Sequence, residues 1–221
     1  MIVLKIAASI MCANQLELHS ELKKLEDAKV DLLHCDVMDG VLVNNLAMGP
    51  YVLEQIKSVT NIPLDIHLAT VDTLKYIDMY SYLNPEYISF HIEASKDVEI
   101  DIKKIKSRGI KASIAISPET SLESVKPYLQ DIDMILVMTV NPGFSGQKFN
   151  YKVLDKLDEL NKYLSTLSNR PLIEVDGCIN KETVKELKHK QIDVYVLGTS
   201  ALFNNKIEDY KSKINEIKEI K

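Results

Sequence analysis

The sequence contains few of the residues that mark disordered, fibrous or membrane-spanning chains. Its 221 residues include seven glycines, seven prolines and no tryptophan, and aromatic residues make up 6% of the total. Glycine and proline at this level exclude a collagen-like or low-complexity chain. The longest apolar run, Met134–Met138, is far shorter than the roughly 18 residues that cross a bilayer. We therefore expect a globular protein without a membrane partner.

The chain also lacks an excess of basic residues and a cysteine framework. It has 27 lysines and arginines against 32 aspartates and glutamates, which gives a net charge of −5. Nucleic-acid-binding domains are usually basic, so no nucleic-acid partner is expected. The three cysteines are odd in number and form no CxxC pair, and Met1–Lys5 has neither the basic lead nor the cleavage site of a signal peptide. These features predict a cytoplasmic protein without disulfides.

What the sequence does contain is an alternation of short apolar segments with longer charged ones. The apolar segments are nearly continuous in branched aliphatic residues, which is typical of parallel strands that are buried on both faces. The predicted strands are Leu4–Ile10, Leu32–Val37, Pro63–Leu68, Tyr87–Ile92, Lys111–Ile116, Met134–Thr139, Leu172–Asp176 and Asp193–Leu197.

The segments between these strands have helical periodicity. Leucines or other apolar residues recur at close to three- and four-residue spacing in Gln15–Ala28, Asn150–Leu167, Lys181–Lys190 and Ile207–Ile220. Successive strands begin about 20 to 40 residues apart, which leaves room for a crossover helix between them. Eight such units predict a single (β/α)8 barrel domain over residues 1–221. The alternative, a doubly wound open sheet, is weakened because no G-x-G-x-x-G motif follows the first strand.

Polar side chains collect where the predicted strands end, which is where a (β/α)8 barrel carries its active site. His34 and Asp36 end the second strand and share one face of it, because alternate residues of a strand point the same way. With His67 from the third strand and Asp176 from the seventh, two imidazoles and two carboxylates can converge. This donor set suits one divalent ion, with zinc expected first and iron, manganese or cobalt also compatible.

Glycines form a second group at the same end of the barrel. Five of the seven lie in loops that follow predicted strands, namely Gly40, Gly143, Gly146, Gly177 and Gly198. Glycine lets backbone N–H groups approach an anion closely, and barrels commonly bind phosphate in the loops after their last strands. A metal-stabilised carboxylate pair beside a phosphate site fits a phosphorylated ketose, inverted by proton removal from one face and return from the other.

Five segments resemble motifs of the ribulose-phosphate 3-epimerase family, and the similarity extends from about Ser9 to Phe203. The segments are 34–40, 64–68, 137–149, 175–177 and 198–203. The resemblance implies a barrel with one divalent metal held by His34, Asp36, His67 and Asp176. It also implies that Asp36 and Asp176 act as the acid/base pair of an isomerase.

Further substrate-binding residues follow from the resemblance and from the glycine loops. Ser9, Met38 and Met138 match family positions that line the site, and Gly146, Gly177, Gly198 and Thr199 match its phosphate loops. The glycine-containing loops add Gly143, Gln147 and Cys178 as candidates. Barrels of this kind often associate, so a homo-oligomer is expected.

The chain departs from the family pattern at three places. The loop Val41–Asn45 lacks the usual Phe and Pro, Ala69 replaces a methionine, and Cys178 replaces a glycine. Ala69 is expected to widen the pocket, and several local segments are similar to the D-allulose-6-phosphate 3-epimerase branch. The first expectation for the reaction is interconversion of D-ribulose 5-phosphate and D-xylulose 5-phosphate. The alternatives are conversion of D-allulose 6-phosphate to D-fructose 6-phosphate and, motivated by the altered loop, a non-catalytic phosphosugar-binding barrel.

Overall fold

Eight parallel strands close into a barrel because the first of them pairs with both the second and the last. A computed structural model describes residues 4–204, 207 and 209–220. Strand β1 pairs with β2 and β9, and β3 is a two-residue strand antiparallel to the end of β2. The strands are β1 (Lys5–Ser9), β2 (Leu32–Asp39), β3 (Leu46–Ala47), β4 (Leu64–Ala69), β5 (Tyr87–His91), β6 (Lys111–Ile116), β7 (Met134–Met138), β8 (Leu172–Asp176) and β9 (Val194–Leu197). The predicted (β/α)8 barrel is confirmed.

Helices cover the outside of the barrel and pack their apolar faces against the strands. They are α1 (Leu18–Asp27), α2 (Pro50–Val59), α3 (Thr73–Ser81), α4 (Val98–Ser107), α5 (Val153–Leu164), α6 (Lys181–Leu187) and α7 (Tyr210–Glu219). The connection from β6 to β7 passes through two 3₁₀ turns, Leu122–Ser124 and Lys126–Tyr128. Within the described residues, no helix is long and apolar enough to cross a bilayer. The predicted one-domain extent over residues 1–221 has ends that lie outside those residues and stays a prediction.

The barrel interior changes from apolar to polar along the strands. Near the strand starts, an apolar plug is formed by Ala7, Leu32, Tyr87, Met134, Val194 and Val196. Nearer the strand ends, the pairing register sets His34 beside Asp65 and Asp36 beside His67. Alternate residues of a strand share a face, so the interior surface of the barrel is apolar near the strand starts and polar near the strand ends.

Candidate active site and metal centre

Four side chains from three strands meet at the carboxyl end of the barrel. His34 and Asp36 come from β2, His67 from β4 and Asp176 from β8, and each offers a ligand atom within 4.8 Å of the others. Three of the four are buried, and the Asp176 side chain is 18% exposed. The structure therefore brings together the four residues that the sequence nominated for metal binding.

The donor atoms of this cluster fit a divalent cation. Nδ1 of His34 lies 2.6 Å from Oδ2 of Asp65, while Nε2 of His34 is buried and has no hydrogen-bond partner among the described residues. That nitrogen lies 3.5 Å from Oδ1 of Asp36 and 3.9 Å from Oδ2 of Asp176. A buried imidazole nitrogen that faces two carboxylates without a partner is the arrangement that a bound cation satisfies. The cluster can hold a metal ion.

Burial affects the two carboxylates of the cluster in opposite ways. Burial by itself raises the pKa of Asp36, but the charge and hydrogen bonds of His34 and His67 outweigh it and leave the pKa below its ordinary value. Burial raises the pKa of Asp176, with a further contribution from the charge of Asp36 and against the opposing effect of His34. Coordination of a divalent cation would lower the pKa of both groups.

A second layer of polar residues lies below the cluster, and sequence reasoning missed its role. Asp65 accepts from Nδ1 of His34, and Glu174 lies 3.9 Å from the same nitrogen through Oε1. Burial, followed by the negative charge of Asp65, raises the pKa of Glu174 well above its usual range. The signal was present in the sequence, since Asp65 and Glu174 stand two residues before His67 and Asp176 and so share their face of the strand.

His91 and Glu93, which the sequence left open between a structural role and substrate contact, form a chain that leads away from the cluster. Nε2 of His67 lies 2.9 Å from Nε2 of His91, and Nδ1 of His91 lies 3.0 Å from Oε2 of Glu93. Burial lowers the pKa of His91. Burial opposes ionisation of Glu93, but hydrogen bonds from His91 and Thr120 outweigh it and lower the pKa of Glu93 to about 2. Neither residue lines the cavity described next.

A cavity opens above the cluster, and every residue predicted to bind substrate lines it. These residues are Ser9, Met38, Met138, Gly143, Gly146, Gln147, Gly177, Cys178, Gly198 and Thr199. Ser9 donates from Oγ to Oδ2 of Asp36 at 3.1 Å, which orients that carboxylate from the cavity side. Met11 and Cys12 also line the cavity. They lie in a 3₁₀ turn directly after β1, and only their position after a strand end could have indicated them.

The glycine loops adopt backbone conformations that suit glycine. Gly143, Gly146 and Gly177 have φ values of +118°, +81° and +121°, and Cys178 follows with φ +54°. Gln147 donates from Nε2 to the carbonyls of Asn141 and Phe144 at 2.7 and 2.8 Å. Its amide nitrogen therefore holds its own loop together, although the residue lines the cavity.

The altered loop after β2 and the small residue at position 69 contribute to one buried apolar cluster. Ala69 is fully buried in a cluster with Met38 and Val43, and it is not among the residues that line the cavity. Ala69 therefore makes no direct contribution to the cavity wall, and the expected widening of the pocket stays a prediction. Asn45 of the same loop donates from Nδ2 to the carbonyl of Gly143 at 2.7 Å, which joins the loops after β2 and β7.

The barrel and its polar mouth define an enzyme of the TIM-barrel class, with the site on the face where such barrels carry their chemistry. The model of the ribulose-phosphate 3-epimerase family matches residues 5–203, and the chain belongs to that family of isomerases. It is 36% identical over 217 residues to ribulose-phosphate 3-epimerase of Bacillus subtilis (strain 168), covering 98% of this chain and 99% of the relative. It is 38% identical over 203 residues to the enzyme of that name from Helicobacter pylori (strain J99), covering 92% of each.

Solved structures with little sequence similarity share the fold. The crystal structure of KGPDC from Streptococcus mutans superposes with a TM-score of 0.74 at 12% identity and covers 99% of both chains. At this identity the similarity concerns the barrel alone.

Proposed function

We propose that the protein interconverts D-ribulose 5-phosphate and D-xylulose 5-phosphate as a metal-dependent 3-epimerase. The observation that carries the proposal is the pair Asp36 and Asp176, two carboxylates with oxygens within 4.8 Å of each other beside a cavity lined by glycine loops. Inversion at a carbon next to a carbonyl needs one group that removes a proton and a second that returns one to the opposite face. The relatives named above carry this activity in their names.

In this proposal Asp36 and Asp176 exchange the C3 proton from opposite faces of an enediolate. Ser9 holds Asp36 in place through its hydroxyl, and Gly146, Gly177 and Gly198 let backbone N–H groups approach the phosphate. His34, Asp36, His67 and Asp176 would hold one divalent ion, zinc first. The ion would supply electrostatic stabilisation for the negative charge that develops next to C3.

D-allulose 6-phosphate is the alternative substrate, suggested by local sequence similarity to that branch. We expect kcat/KM for D-ribulose 5-phosphate to exceed that for D-allulose 6-phosphate by at least about tenfold, the range that small differences in pocket contacts produce. Ala69 does not line the cavity, which removes one reason to expect a longer substrate. Steady-state assays of both substrates with metal-replete protein decide between them. A higher kcat/KM for the hexulose phosphate would reverse the assignment.

The same protein sample distinguishes the non-catalytic alternative from the two epimerase activities. A phosphosugar-binding barrel would bind either ketose phosphate in calorimetry and turn over neither one. The cytoplasmic location and the homo-oligomeric state stay predictions.

Removal of the metal is expected to abolish activity and to lower the thermal midpoint of unfolding. An ion present at 1,000 times its dissociation constant stabilises the folded state by about 4 kcal/mol, because it binds the assembled site and not the unfolded chain. The measurement compares protein dialysed against a chelator with the same sample after one equivalent of Zn²⁺ is returned, together with elemental analysis of untreated protein. Full activity in metal-depleted protein would contradict a metal-dependent reaction.

A further inference from the structure

We propose that His91 and Glu93 are positioning residues that fix the hydrogen of His67 on Nε2, so that Nδ1 of His67 is the nitrogen offered to the metal. The inference rests on the metal centre proposed above and concerns side chains that lie behind it. Four residues from three strands and one loop form the chain, which runs from Asp36 through His67 and His91 to Glu93.

The outer end of this hydrogen-bond chain, at Glu93, determines which nitrogen of His91 carries the hydrogen. Oε1 of Glu93 accepts from the backbone N–H of Ser117 at 2.7 Å and from the hydroxyl of Thr120. A backbone N–H can only donate, so this end of the carboxylate is an acceptor. The other oxygen, Oε2, lies 3.0 Å from Nδ1 of His91 and, in an ionised carboxylate, is also an acceptor. His91 must therefore carry its hydrogen on Nδ1.

The position of the hydrogen on His91 in turn determines the position of the hydrogen on His67. A neutral imidazole with hydrogen on Nδ1 has a lone pair on Nε2. Nε2 of His91 lies 2.9 Å from Nε2 of His67, so His67 must donate from Nε2 to form this hydrogen bond. In neutral His67 the lone pair is then on Nδ1, which lies 3.0 Å from Oδ1 of Asp36. Two acceptors at that distance need a positive charge between them, and a coordinated cation supplies it.

The opposite arrangement of hydrogens leaves an unfavourable contact between His91 and Glu93. If His67 donated from Nδ1 to Asp36, then His91 would donate from Nε2 and present a lone pair to the carboxylate of Glu93. That contact would place a buried nitrogen of His91 against a carboxylate that is 28% exposed, and unmatched buried acceptors cost about 1–3 kcal/mol each. With neutral imidazoles, the network is consistent only when His67 donates from Nε2 to His91 and His91 donates from Nδ1 to Glu93.

The turn that holds Glu93 is itself tied to a helix. Lys156 of α5 donates from Nζ to the carbonyls of Ser117 and Pro118 at 3.0 and 2.6 Å. This anchor fixes the backbone N–H of Ser117 against Glu93. The hydrogen-bond chain is thus anchored at its outer end to helix α5.

His34 uses its other nitrogen and gives an independent comparison. It donates from Nδ1 to Asp65 and leaves Nε2 without a partner among the described residues, facing the cluster. The two imidazoles are therefore held in opposite tautomers, each by an acceptor behind it. Outer partners of this kind orient metal-binding histidines and contribute typically 10- to 100-fold to metal affinity.

The test measures Zn²⁺ affinity by competition with a chromophoric chelator, with no substrate present. We expect His91→Phe and Glu93→Gln each to weaken Zn²⁺ binding by about 10- to 100-fold. The carboxylate of Glu93 faces donors on both oxygens, namely His91 on one side and Ser117 and Thr120 on the other. A glutamine at this position places an NH₂ group, itself a donor, against one of these sides. His91→Gln restores an acceptor for Nε2 of His67 and should recover most of the affinity. Glu119→Gln is the matched control, because it removes the same charge from an exposed position in the neighbouring loop after β6.

A second readout reports the tautomer directly. In ¹⁵N-histidine-labelled protein loaded with Zn²⁺, long-range ¹H–¹⁵N spectra should show hydrogen on Nε2 of His67 and none on Nδ1. If His91→Phe does not fold, Thr120→Val removes one donor to Glu93 without a change of shape, and Thr120→Ser should restore the affinity.

The outcomes separate this inference from the proposed function. Wild-type protein that binds no Zn²⁺ would overturn the metal centre and the positioning role together. Wild-type protein that binds Zn²⁺, with affinities unchanged within twofold in Glu93→Gln and Thr120→Val, would overturn the positioning role and leave the epimerase proposal standing. Hydrogen on Nδ1 of His67 in the Zn²⁺-loaded protein would also overturn it.

Discussion

Asp36→Asn and Asp176→Asn are each expected to lower kcat for epimerisation by about 10³-fold or more, since positioned proton transfer contributes about 10²–10⁴-fold and each variant also weakens the metal centre. An asparagine keeps the shape of the side chain and one oxygen, but it neither takes nor returns a proton at neutral pH. Exchange of the C3 proton with solvent, followed by NMR in D₂O, should be lost together with inversion.

Loss of metal has to be separated from loss of the proton-transfer group. Both carboxylates belong to the metal cluster, and Asp36 also accepts from Ser9 and lies 3.0 Å from Nδ1 of His67. Each variant is therefore assayed at Zn²⁺ concentrations that saturate it, with bound zinc determined by elemental analysis. Asp155→Asn on the exposed face of α5 is the matched control and should leave kcat unchanged. Zinc-saturated variants that retain substantial C3 exchange in both cases would contradict the two-carboxylate mechanism.

The sequence predicted the barrel because its strands are marked by composition as well as by spacing. Strands buried on both faces are nearly continuous in branched aliphatic residues. His34 and Asp36 could be placed on one face from a two-residue spacing alone. Asp176 could be added because all strand ends of a closed barrel face the same space.

Spacing could place Asp65 and Glu174 on the interior face, but it could not predict which side chains behind the cluster contact each other. The pairing of His34 with Asp65, and of His67 with His91, depends on the stagger between neighbouring strands and on side-chain rotamers. A shift of one residue in register would turn these side chains to the other face of the barrel. Sequence spacing along one strand contains no information about that stagger.

The surroundings of Ala69 were also invisible along the chain. Ala69 was expected to widen the pocket, yet it lies in a buried cluster with Met38 and Val43 and does not line the cavity. Val43 belongs to the altered loop after β2, so two departures from the family pattern meet in one cluster. Only the three-dimensional structure reveals this.

Gly177→Ala is expected to lower the free energy of unfolding by about 3–5 kcal/mol, because it combines backbone strain with a steric clash at a position that cannot relax. Gly177 has φ +121°, and a Cβ there would lie 2.6 Å from Cγ2 and 2.8 Å from the backbone N of Val140. Val140 is fixed by its neighbour, since Thr139 donates from its backbone N to the carbonyl of Asp176 at 2.7 Å and its hydroxyl bonds the carbonyl of Gly177.

Gly109→Ala provides the matched control, because Gly109 has φ +74° and nothing within 4 Å of a Cβ. It should cost only the conformational term, about 1 kcal/mol. Denaturant unfolding followed by circular dichroism measures both variants. Since Gly177 directly follows Asp176, the backbone shift that accommodates the new Cβ also displaces a carboxylate of the cluster. Activity of folded Gly177→Ala protein should therefore fall, whereas Gly109→Ala should keep wild-type kcat. Equal destabilisation by the two substitutions would mean that the contact with Val140 relaxes freely, and that the end of β8 is not held as rigidly as the hydrogen bonds from Thr139 indicate.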